Sequence, residues 1–225
     1  MKVRVLSPAP RSKARSTTWP FSFPALPCPT NAADTGAMAL HPTPILPLPL
    51  QAHLRELVLP DAVAWSNYLS LPDVIKHTSW GDVSVEALQR QIFDHSRNTR
   101  CRRWAILDSD DQLLGTVGLN DIDIEHHRAE LAYDLSPAHQ GRGLATGAAR
   151  AVIAWAHTAL GCVRVQATVL DSNLRSIAVL ERAGMQREGL LRSYRHVRGQ
   201  PRDFWMYAHT PPQLHGGQGE SRAAP

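Results

Sequence analysis

The fold of this chain is decided by the stretch Gln140-Gly141-Arg142-Gly143-Leu144-Ala145-Thr146-Gly147. The stretch follows a segment whose pattern predicts a strand, Ala129 to Leu135, and it opens a predicted helix from Gly143 to about Leu160. The first backbone N–H groups of a helix have no partners within it, and the helix dipole favours negative charge there. The stretch therefore indicates an anion-binding turn, although a glycine turn that merely starts a helix would have the same residues.

Two other phosphate-binding motifs fit this stretch poorly. A dinucleotide fingerprint needs a third glycine where Thr146 stands, and an acidic residue at the end of the next strand, where this chain has Gly161-Cys162-Val163. A P-loop needs a lysine after its glycines, but lysine occurs only at positions 2, 13 and 76. Both motifs are therefore set aside.

Outward from the stretch, hydrophobic periodicity predicts alternating strands and helices. A proline-interrupted extended segment, Ile45 to Leu50, comes first and suits only a sheet edge. Two helices follow it, capped by Asp61 and Ser84, and Pro72 ends the first of them. The remaining predicted elements are strands at Arg103 to Leu107, Leu113 to Leu119, Ala129 to Leu135, Val163 to Val169, Gly189 to Val197 and Phe204 to His209, the helix after the glycine stretch, and a helix from Leu174 to Gly184. This order predicts an α/β fold, a mixed sheet of six to seven strands with helices on both faces.

The two ends of the chain differ in composition from its middle. Residues 1 to 37 are rich in Pro, Ser, Thr and Ala without periodicity, which predicts a disordered tail. Met38 begins the organised part, so the tail is also interpreted as an artefact of the assigned gene start. Residues 211 to 225 predict a second disordered tail, which leaves one domain over residues 38–210.

Charge and cysteine usage exclude several classes of function. The formal net charge is +4, and the first 37 residues carry five Lys or Arg against one acid, so the predicted domain is neutral and not a nucleic-acid binder. The three cysteines are odd in number and widely spaced, which fits neither a disulfide framework nor a zinc cluster. No apolar run is long enough for a membrane span. We therefore expect a cytoplasmic protein with no metal site and no membrane partner.

Two spaced motifs resemble the GNAT N-acetyltransferase superfamily. Gln140 to Ala145 is similar to the family's Gln-x-x-Gly-x-Gly/Ala signature, in the same strand, loop and helix context. Asn173, Ser176 and the run Glu181 to Met185 resemble the family's Asn-x-x-Ser…Glu-x-x-Gly-Phe block. With Glu188-Gly189 and Asp203 to Tyr207, the chain looks like the branch that acetylates ribosomal-protein N-termini at alanine or serine. The resemblance covers roughly Leu46 to His209 and implies a GNAT fold whose sheet is splayed at the cofactor strand.

The resemblance also implies acetyl-CoA as co-substrate and assigns residues to it. Backbone groups of Tyr133, Asp134 and Leu135 are expected to bind the pantetheine arm, and Asn173 to bind the same arm or tie down a neighbouring loop. A backbone N–H near Leu135 is the expected oxyanion donor. The expected pyrophosphate binders are Gln140, Gly141, Arg142, Gly143, Leu144, Ala145 and Thr146.

The acid and base of the reaction are less well specified. One ribosomal-protein branch has a Glu five residues before the Asn and a Tyr seven after it, where this chain has Thr168 and Leu180. Glu130 is the nearest carboxylate on the cofactor strand and is the candidate base, against a plain ion pair with Arg128. Ser176 is the candidate donor to the leaving thiolate, against a structural hydroxyl.

The absence of that branch's Glu and Tyr affects which class of amine is the expected acceptor. An α-amine with a pKa of about 7.8 loses its proton at pH 7.4 for roughly 0.5 kcal/mol, whereas a lysine amine costs roughly 4 kcal/mol. A protein N-terminus is thus the expected acceptor, with a small amine (an antibiotic, polyamine or amino acid) as the alternative and a CoA-binding module without catalysis as the third. The protein is expected to be a monomer or homodimer. The early helices and the final hairpin contain residues that are candidates for acceptor binding, against a role in packing or at the solvated surface: Trp65, Tyr68, Trp80, Tyr194, Arg195, His196 and Arg198.

Overall fold

A computed structural model describes residues 41–47 and 50–211 of the chain. Its strands are β1 (His53–Glu56), β2 (Arg102–Leu107), β3 (Leu113–Asp123), β4 (Arg128–Leu135), β5 (Arg164–Leu170), β6 (Gln186–Val197) and β7 (Gln200–His209). Its α-helices are α1 (Asp61–Leu69), α2 (Pro72–Ile75), α3 (Val85–Arg97), α4 (Leu144–Ala159) and α5 (Leu174–Arg182), and a 3-10 turn spans Pro137–His139. The predicted tails lie outside the described residues, apart from Pro211.

The seven strands form one sheet in the order β1-β2-β3-β4-β5-β7-β6. All neighbours are antiparallel except β4 and β5, so the sheet is mixed, as predicted. One face packs on α4 through a core that includes Val117, Val152 and Val165. On the other face, α1 and α3 pack on each other around Trp65 and Leu88. The α/β fold with helices on both faces is confirmed.

The prediction for the first strand is wrong. Residues 41–47 and Leu50 are not in a strand, and the edge strand is His53–Glu56, paired with β2. Prolines lack the N–H that a ladder needs, so the proline-rich segment serves as packing instead. Trp155 on α4 donates its indole N–H to the Pro42 carbonyl at 2.6 Å, and a Cβ on Gly147 would lie 2.2 Å from Leu50 Cδ1. Gly147 therefore allows this segment to pack closely on α4.

The early helices also differ from their predicted ends. Asp61 is the first residue of α1 and not its cap, because its carboxylate binds the Arg55 guanidinium and the Val58 N–H at 2.7 and 2.8 Å. Pro72 starts the short helix α2, where its missing N–H costs nothing. Ser84 does cap α3, accepting from the Ala87 N–H at 3.3 Å.

The sheet splits between β4 and β5. The two strands pair only at Arg128↔Arg164, Ala129↔Val165 and Glu130↔Gln166, although β4 continues to Leu135 and β5 to Leu170. Beyond Glu130 the strands diverge, leaving one edge of β4 without a backbone partner. This is the splay that the family resemblance implies, and it opens the centre of the sheet.

Within the described ranges, no helix combines the length and the apolar character needed to cross a membrane.

Candidate active site at the split sheet

Two cavities meet at the split between β4 and β5. The larger, of about 1070 Å³, lies against the glycine stretch and α5, and the smaller, of about 320 Å³, lies against Trp80, Glu130 and Arg195. The residues that line both are His77, Thr78, Tyr133, Asp134, Asn173 and Ser176. Side chains of Tyr133 and Asp134 point to opposite faces of β4, so the split joins the two faces of the sheet.

The structure places most of the predicted cofactor residues around the larger cavity. Those on its wall are Tyr133, Asp134, Leu135, Gln140, Gly141, Gly143, Leu144, Ala145, Thr146 and Asn173, together with Ser176. Arg142 is exposed and is not part of this wall, and Glu130 lines only the smaller cavity. The assignment of these residues to acetyl-CoA stays a prediction.

The glycine stretch presents free N–H groups to the larger cavity. Gly141 and Gly143 have φ of 80° and 79°, a left-handed conformation that other residues rarely adopt. Gly143 precedes α4, and the first helical hydrogen bond runs from the Gly147 N–H to the Gly143 carbonyl at 2.9 Å. The amides of Leu144, Ala145 and Thr146 therefore have no acceptor within the helix and can bind an anion.

Two arginines on α5 add positive charge to the larger cavity, and sequence reasoning missed both. Arg175 and Arg182 lie on its wall, and Arg175 donates to the Gln140 side-chain oxygen at 3.0 Å. Leu174 also lies there with 73% of its surface exposed, which leaves an apolar surface beside the cations. Arg175 and Arg182 are seven residues apart, which is two helical turns. This spacing is the signal in the sequence that could have placed both arginines on one face of α5.

The free edge of β4 is formed by alternate residues. Ser136 donates its N–H to the Leu114 carbonyl of β3 at 2.9 Å. In an antiparallel pair every second residue directs its N–H and C=O to the same neighbour, so the backbone groups of Asp134 also face β3. Those of Tyr133 and Leu135 face the split. The expectation that the Asp134 backbone binds the pantetheine arm is therefore wrong. Tyr133 and Leu135 keep that role as a prediction.

The Asp134 carboxylate is instead the centre of a buried network. It accepts hydrogen bonds from Tyr68 Oη, from Trp65 Nε1 at 3.1 Å and from Thr116 Oγ1 at 2.8 Å, and it pairs with the Arg103 guanidinium at 3.3 Å. Trp65 and Tyr68 are thus held inside the protein and do not line either cavity, contrary to their prediction as acceptor-binding residues. The network fixes α1 to the sheet behind the split.

Tyr133 and Ser176 form a hydroxyl pair between β4 and α5. Their oxygens are 2.8 Å apart, and the Tyr133 hydroxyl also lies 3.1 Å from the Ser176 carbonyl. Burial raises the pKa of the Tyr133 hydroxyl above its ordinary value, so the phenol stays protonated at neutral pH. Sequence reasoning used only the backbone of Tyr133, because a tyrosine on a strand does not reveal where its hydroxyl ends.

Asn173 holds the end of α5 and a loop beside it. Its side-chain oxygen accepts from the Ser176 N–H at 3.1 Å, and its Nδ2 donates to the His77 carbonyl at 3.1 Å. Of the two roles expected for Asn173, the structure therefore contains the tie to a neighbouring loop.

Glu130 lies across the split from the position where the family branch has its glutamate. The Thr168 hydroxyl donates to Glu130 Oε1 at 2.7 Å, and the Arg195 guanidinium lies 3.2 Å from the same oxygen. The ion-pair alternative for Glu130 is therefore present, but its partner is Arg195 and not Arg128, which pairs with Asp121 and Asp123. Thr168 thus orients a carboxylate from the adjacent strand.

A loop at residues 76–81, here called the cleft loop, forms part of both cavities and is held by Arg198. The Arg198 guanidinium donates to the carbonyls of Ile75, Lys76 and Thr78 at 2.6, 2.9 and 3.3 Å. Arg198 sits in the two-residue turn between β6 and β7 with a φ of 50°. Of the remaining acceptor candidates, Trp80 and Arg195 line the smaller cavity, and Tyr194 and His196 do not.

Removing the Arg198 guanidinium should loosen the cleft loop. Because the hydrogen bonds are made by an exposed side chain to exposed carbonyls, we expect Arg198→Ala to raise the KM for the amine about fivefold, with a smaller change in kcat. Steady-state kinetics at saturating acetyl-CoA measure this. Arg192→Ala removes an exposed arginine from β6, the strand before that turn, and should leave KM unchanged; equal KM values for Arg198→Ala and the unmodified protein would contradict the role given to the loop.

In the part of the chain that the structure describes, no three His, Cys, Asp or Glu side chains are grouped as metal ligands.

Comparisons with known proteins agree with this architecture. The family model of the acetyltransferase (GNAT) domain matches residues 52–186. The uncharacterized N-acetyltransferase p20 of Bacillus licheniformis is 36% identical over 160 residues, 69% of this chain and 90% of that protein. Spermidine N(1)-acetyltransferase of Escherichia coli K12 is 30% identical over 126 residues, 55% of this chain and 68% of that protein.

A solved structure shows the same fold. Ribosomal-protein-S5-alanine acetyltransferase from Vibrio fischeri matches with a TM-score of 0.65 at 20% identity, covering 72% of this chain and 94% of that one. The split sheet, the glycine turn before α4 and the matched domain together lead to one conclusion: the chain belongs to the GNAT acetyltransferase family and is an N-acetyltransferase that uses acetyl-CoA.

Proposed function

We propose that the chain acetylates an α-amine, with a protein N-terminus as its preferred acceptor, by direct attack of the amine on acetyl-CoA in a ternary complex. Acetyl-CoA occupies the larger cavity, with its pyrophosphate at the amides of Gly141 to Thr146 and its pantetheine arm along the free edge of β4. The acceptor amine enters through the smaller cavity. The thioester then lies in the split, where the two cavities meet.

One observation carries this proposal: a carboxylate and a phenol lie on opposite faces of the split strand. Glu130 faces the smaller cavity, and the Tyr133 hydroxyl meets Ser176 on the side of α5. An amine that attacks from one face and a thiolate that leaves toward the other need groups in this arrangement. Glu130 on β4, oriented by Thr168, then replaces the missing glutamate of β5, and Tyr133 replaces the missing tyrosine of α5.

The step balances without a covalent enzyme intermediate. The neutral amine nitrogen forms a bond to the acetyl carbonyl carbon, and the backbone N–H of Tyr133 or Leu135 stabilises the oxyanion. The C–S bond breaks as the oxyanion collapses to the new amide carbonyl, and the thiolate takes the proton of the Tyr133 hydroxyl to become the thiol of CoA, after which Tyr133 regains a proton from solvent. The amine loses one proton to Glu130, directly or through water, and that proton passes to solvent.

The acceptor class rests on the pKa of the amine. Glu130 is the one carboxylate that lines the smaller cavity besides Asp134, whose oxygens are taken up by its own network. A site with a single base is best matched to an amine that deprotonates cheaply near neutral pH, which favours an α-amine over lysine by about 3.5 kcal/mol.

Release of CoA thiol from acetyl-CoA tests this proposal. Peptides that begin with Ala, Ser or Met are compared with the same peptides blocked at the α-amine and carrying an internal lysine, and with polyamines and aminoglycosides. We expect turnover of the free N-termini and little of the blocked peptides. Efficient acetylation of the internal lysines but not of the N-termini would refute the acceptor class, and tight acetyl-CoA binding without turnover of any amine would favour a binding module.

A polyamine acceptor is the second candidate, because one relative at 30% identity is a spermidine acetyltransferase. The thiol-release assay, which includes polyamines, distinguishes a polyamine acceptor from a protein N-terminus.

We also propose that the protein works in the cytoplasm. Neither Cys101 nor Cys162, the two cysteines in the described residues, forms a disulfide, and burial raises the pKa of both thiols. Inert, reduced thiols suit a reducing compartment.

A further inference from the structure

We infer that the acceptor carries a carboxylate close to its amine, and that Arg195 binds this carboxylate while Glu130 receives the amine. The inference rests on the proposed function and narrows its acceptor to an α-amine with an anionic neighbour. A peptide that begins with Asp or Glu has this chemistry, and so does a free α-amino acid, whose own carboxylate raises the pKa of its amine and makes deprotonation by Glu130 more costly. Arg195 is thereby proposed as a specificity-determining residue.

The smaller cavity presents one positive and one negative group side by side. Arg195 and Glu130 both lie on its wall, 3.2 Å apart, with side chains 38% and 17% exposed. Thr168 and Arg195 share Glu130 Oε1, whereas Oε2 receives no hydrogen bond from the described residues. Oε2 can therefore accept from an incoming amine without breaking the pair.

Arg195 has donors left for an anion. It uses one N–H group on Glu130, and its guanidinium carbon lies 5.0 and 5.6 Å from the ring centroids of Tyr194 and Phe204. A guanidinium held by an ion pair and two aromatic rings keeps other N–H groups for a carboxylate. An amine and a carboxylate a few bonds apart would reach Glu130 and Arg195 at the same time.

The surface around the cavity favours the same acceptor. The hairpin of β6 and β7, with its turn, carries five arginines against two carboxylates, Glu188 and Asp203. Glu188 pairs with Arg164 outside the hairpin, and the Asp203 carboxylate binds the Ser193 N–H. Of the five arginines, Arg195 lines the smaller cavity and pairs with Glu130, and Arg202 pairs with Asp171. The excess of positive charge left on the hairpin favours anionic acceptors over polycations. The hairpin thus argues against a polyamine, which would need several carboxylates along its length.

Matched pairs of acceptors test the inference through kcat/KM in the thiol-release assay. Asp-Ala amide is compared with Asn-Ala amide, L-alanine with L-alanine amide, and spermidine is run beside them. The first pair tests a peptide acceptor and the second a free amino acid. We expect a preference of about tenfold or more for the carboxylate in at least one pair, as for a lost charge-assisted hydrogen bond.

Two variants assign the preference to Arg195. Arg195→Gln should abolish the preference by lowering kcat/KM for the charged acceptor about tenfold more than for the neutral one, and Arg195→Lys should restore part of it. Arg192→Gln removes the same charge from an exposed position of the same strand and should retain most of the preference. Acetyl-CoA binding and thermal unfolding of each variant establish that it is folded.

The outcomes separate the inference from the function it rests on. If kcat/KM is the same with and without the carboxylate in both pairs, or is highest with spermidine, the inference is overturned while acetyl transfer stands. An equal loss for charged and neutral acceptors in Arg195→Gln also overturns it. Absence of thiol release with every amine overturns acetyl transfer and the inference together.

Discussion

Tyr133→Phe is expected to lower kcat for acetyl transfer about a hundredfold, the size of effect typical for loss of a proton donor. The variant keeps the ring and removes only the hydroxyl that lies 2.8 Å from Ser176 Oγ. A thiolate that forms in the split then has no phenol to stabilise it. Because the hydroxyl acts on the leaving group, the KM values for acetyl-CoA and for the amine should change little.

Ser176→Ala is the matched control for Tyr133→Phe, since it removes the other member of the hydroxyl pair. If Tyr133 is the donor, kcat in Ser176→Ala should fall only severalfold. A hundredfold loss in Ser176→Ala with near-normal activity in Tyr133→Phe would return the role to Ser176, the residue that the sequence alone favours. The two variants together thus identify the donor from kcat measurements at saturating substrates.

Asp134→Asn should lower the free energy of unfolding by about 3–5 kcal/mol, the usual cost of breaking a buried ion pair. The Arg103 side chain is only 3% exposed, and its guanidinium would lose its counter-charge without reaching water. In one orientation the new NH2 would face the donors Trp65 and Tyr68, and in the other it would face Thr116 and the Arg103 guanidinium, so one donor pair loses its acceptor either way. Urea unfolding followed by circular dichroism measures the change.

A double variant separates the uncompensated charge from the lost packing. The double variant Asp134→Asn with Arg103→Met should lower the free energy of unfolding by clearly less than the sum of the two single changes. The reason is that the double variant contains no unpaired cation. Asp110→Asn, which alters a carboxylate on the exposed turn between β2 and β3, should leave the unfolding curve unchanged. Additive losses in the double variant would show that Asp134 and Arg103 do not stabilise each other.

The sequence predicts the parts of this fold that depend on local pattern. The glycines at 141 and 143, the strand before them and the helix after them follow from backbone freedom and periodicity, and all three are present. The edge strand differs from the prediction because Ile45 to Leu50 is as apolar as a strand, whereas of its described residues Pro47 and Leu50 pack at Gly147 on α4.

The chemistry across the split was harder to predict because it joins strands that are distant in sequence. In the sequence, Thr168 stands at the position where one family branch has a glutamate. Only the pairing of β4 with β5 shows that its hydroxyl lies 2.7 Å from Glu130 Oε1. Trp65 and Tyr68 share one face of a predicted helix, but nothing in the sequence shows that their polar ends satisfy a carboxylate 69 and 66 residues away. Which hydroxyl meets which carboxylate is a property of the assembled sheet and not of any one segment.

The short pairing of β4 with β5 makes the two halves of the sheet depend on what lies between them. Strand to strand, three residue pairs and the side-chain contacts of Glu130 join β1 to β4 with β5 to β7. The pantetheine arm that we propose along the β4 edge would serve as a substitute strand, so resistance to heat and proteolysis should rise with the logarithm of the acetyl-CoA concentration. The abundance of this protein in a cell would then follow the supply of its own acetyl donor.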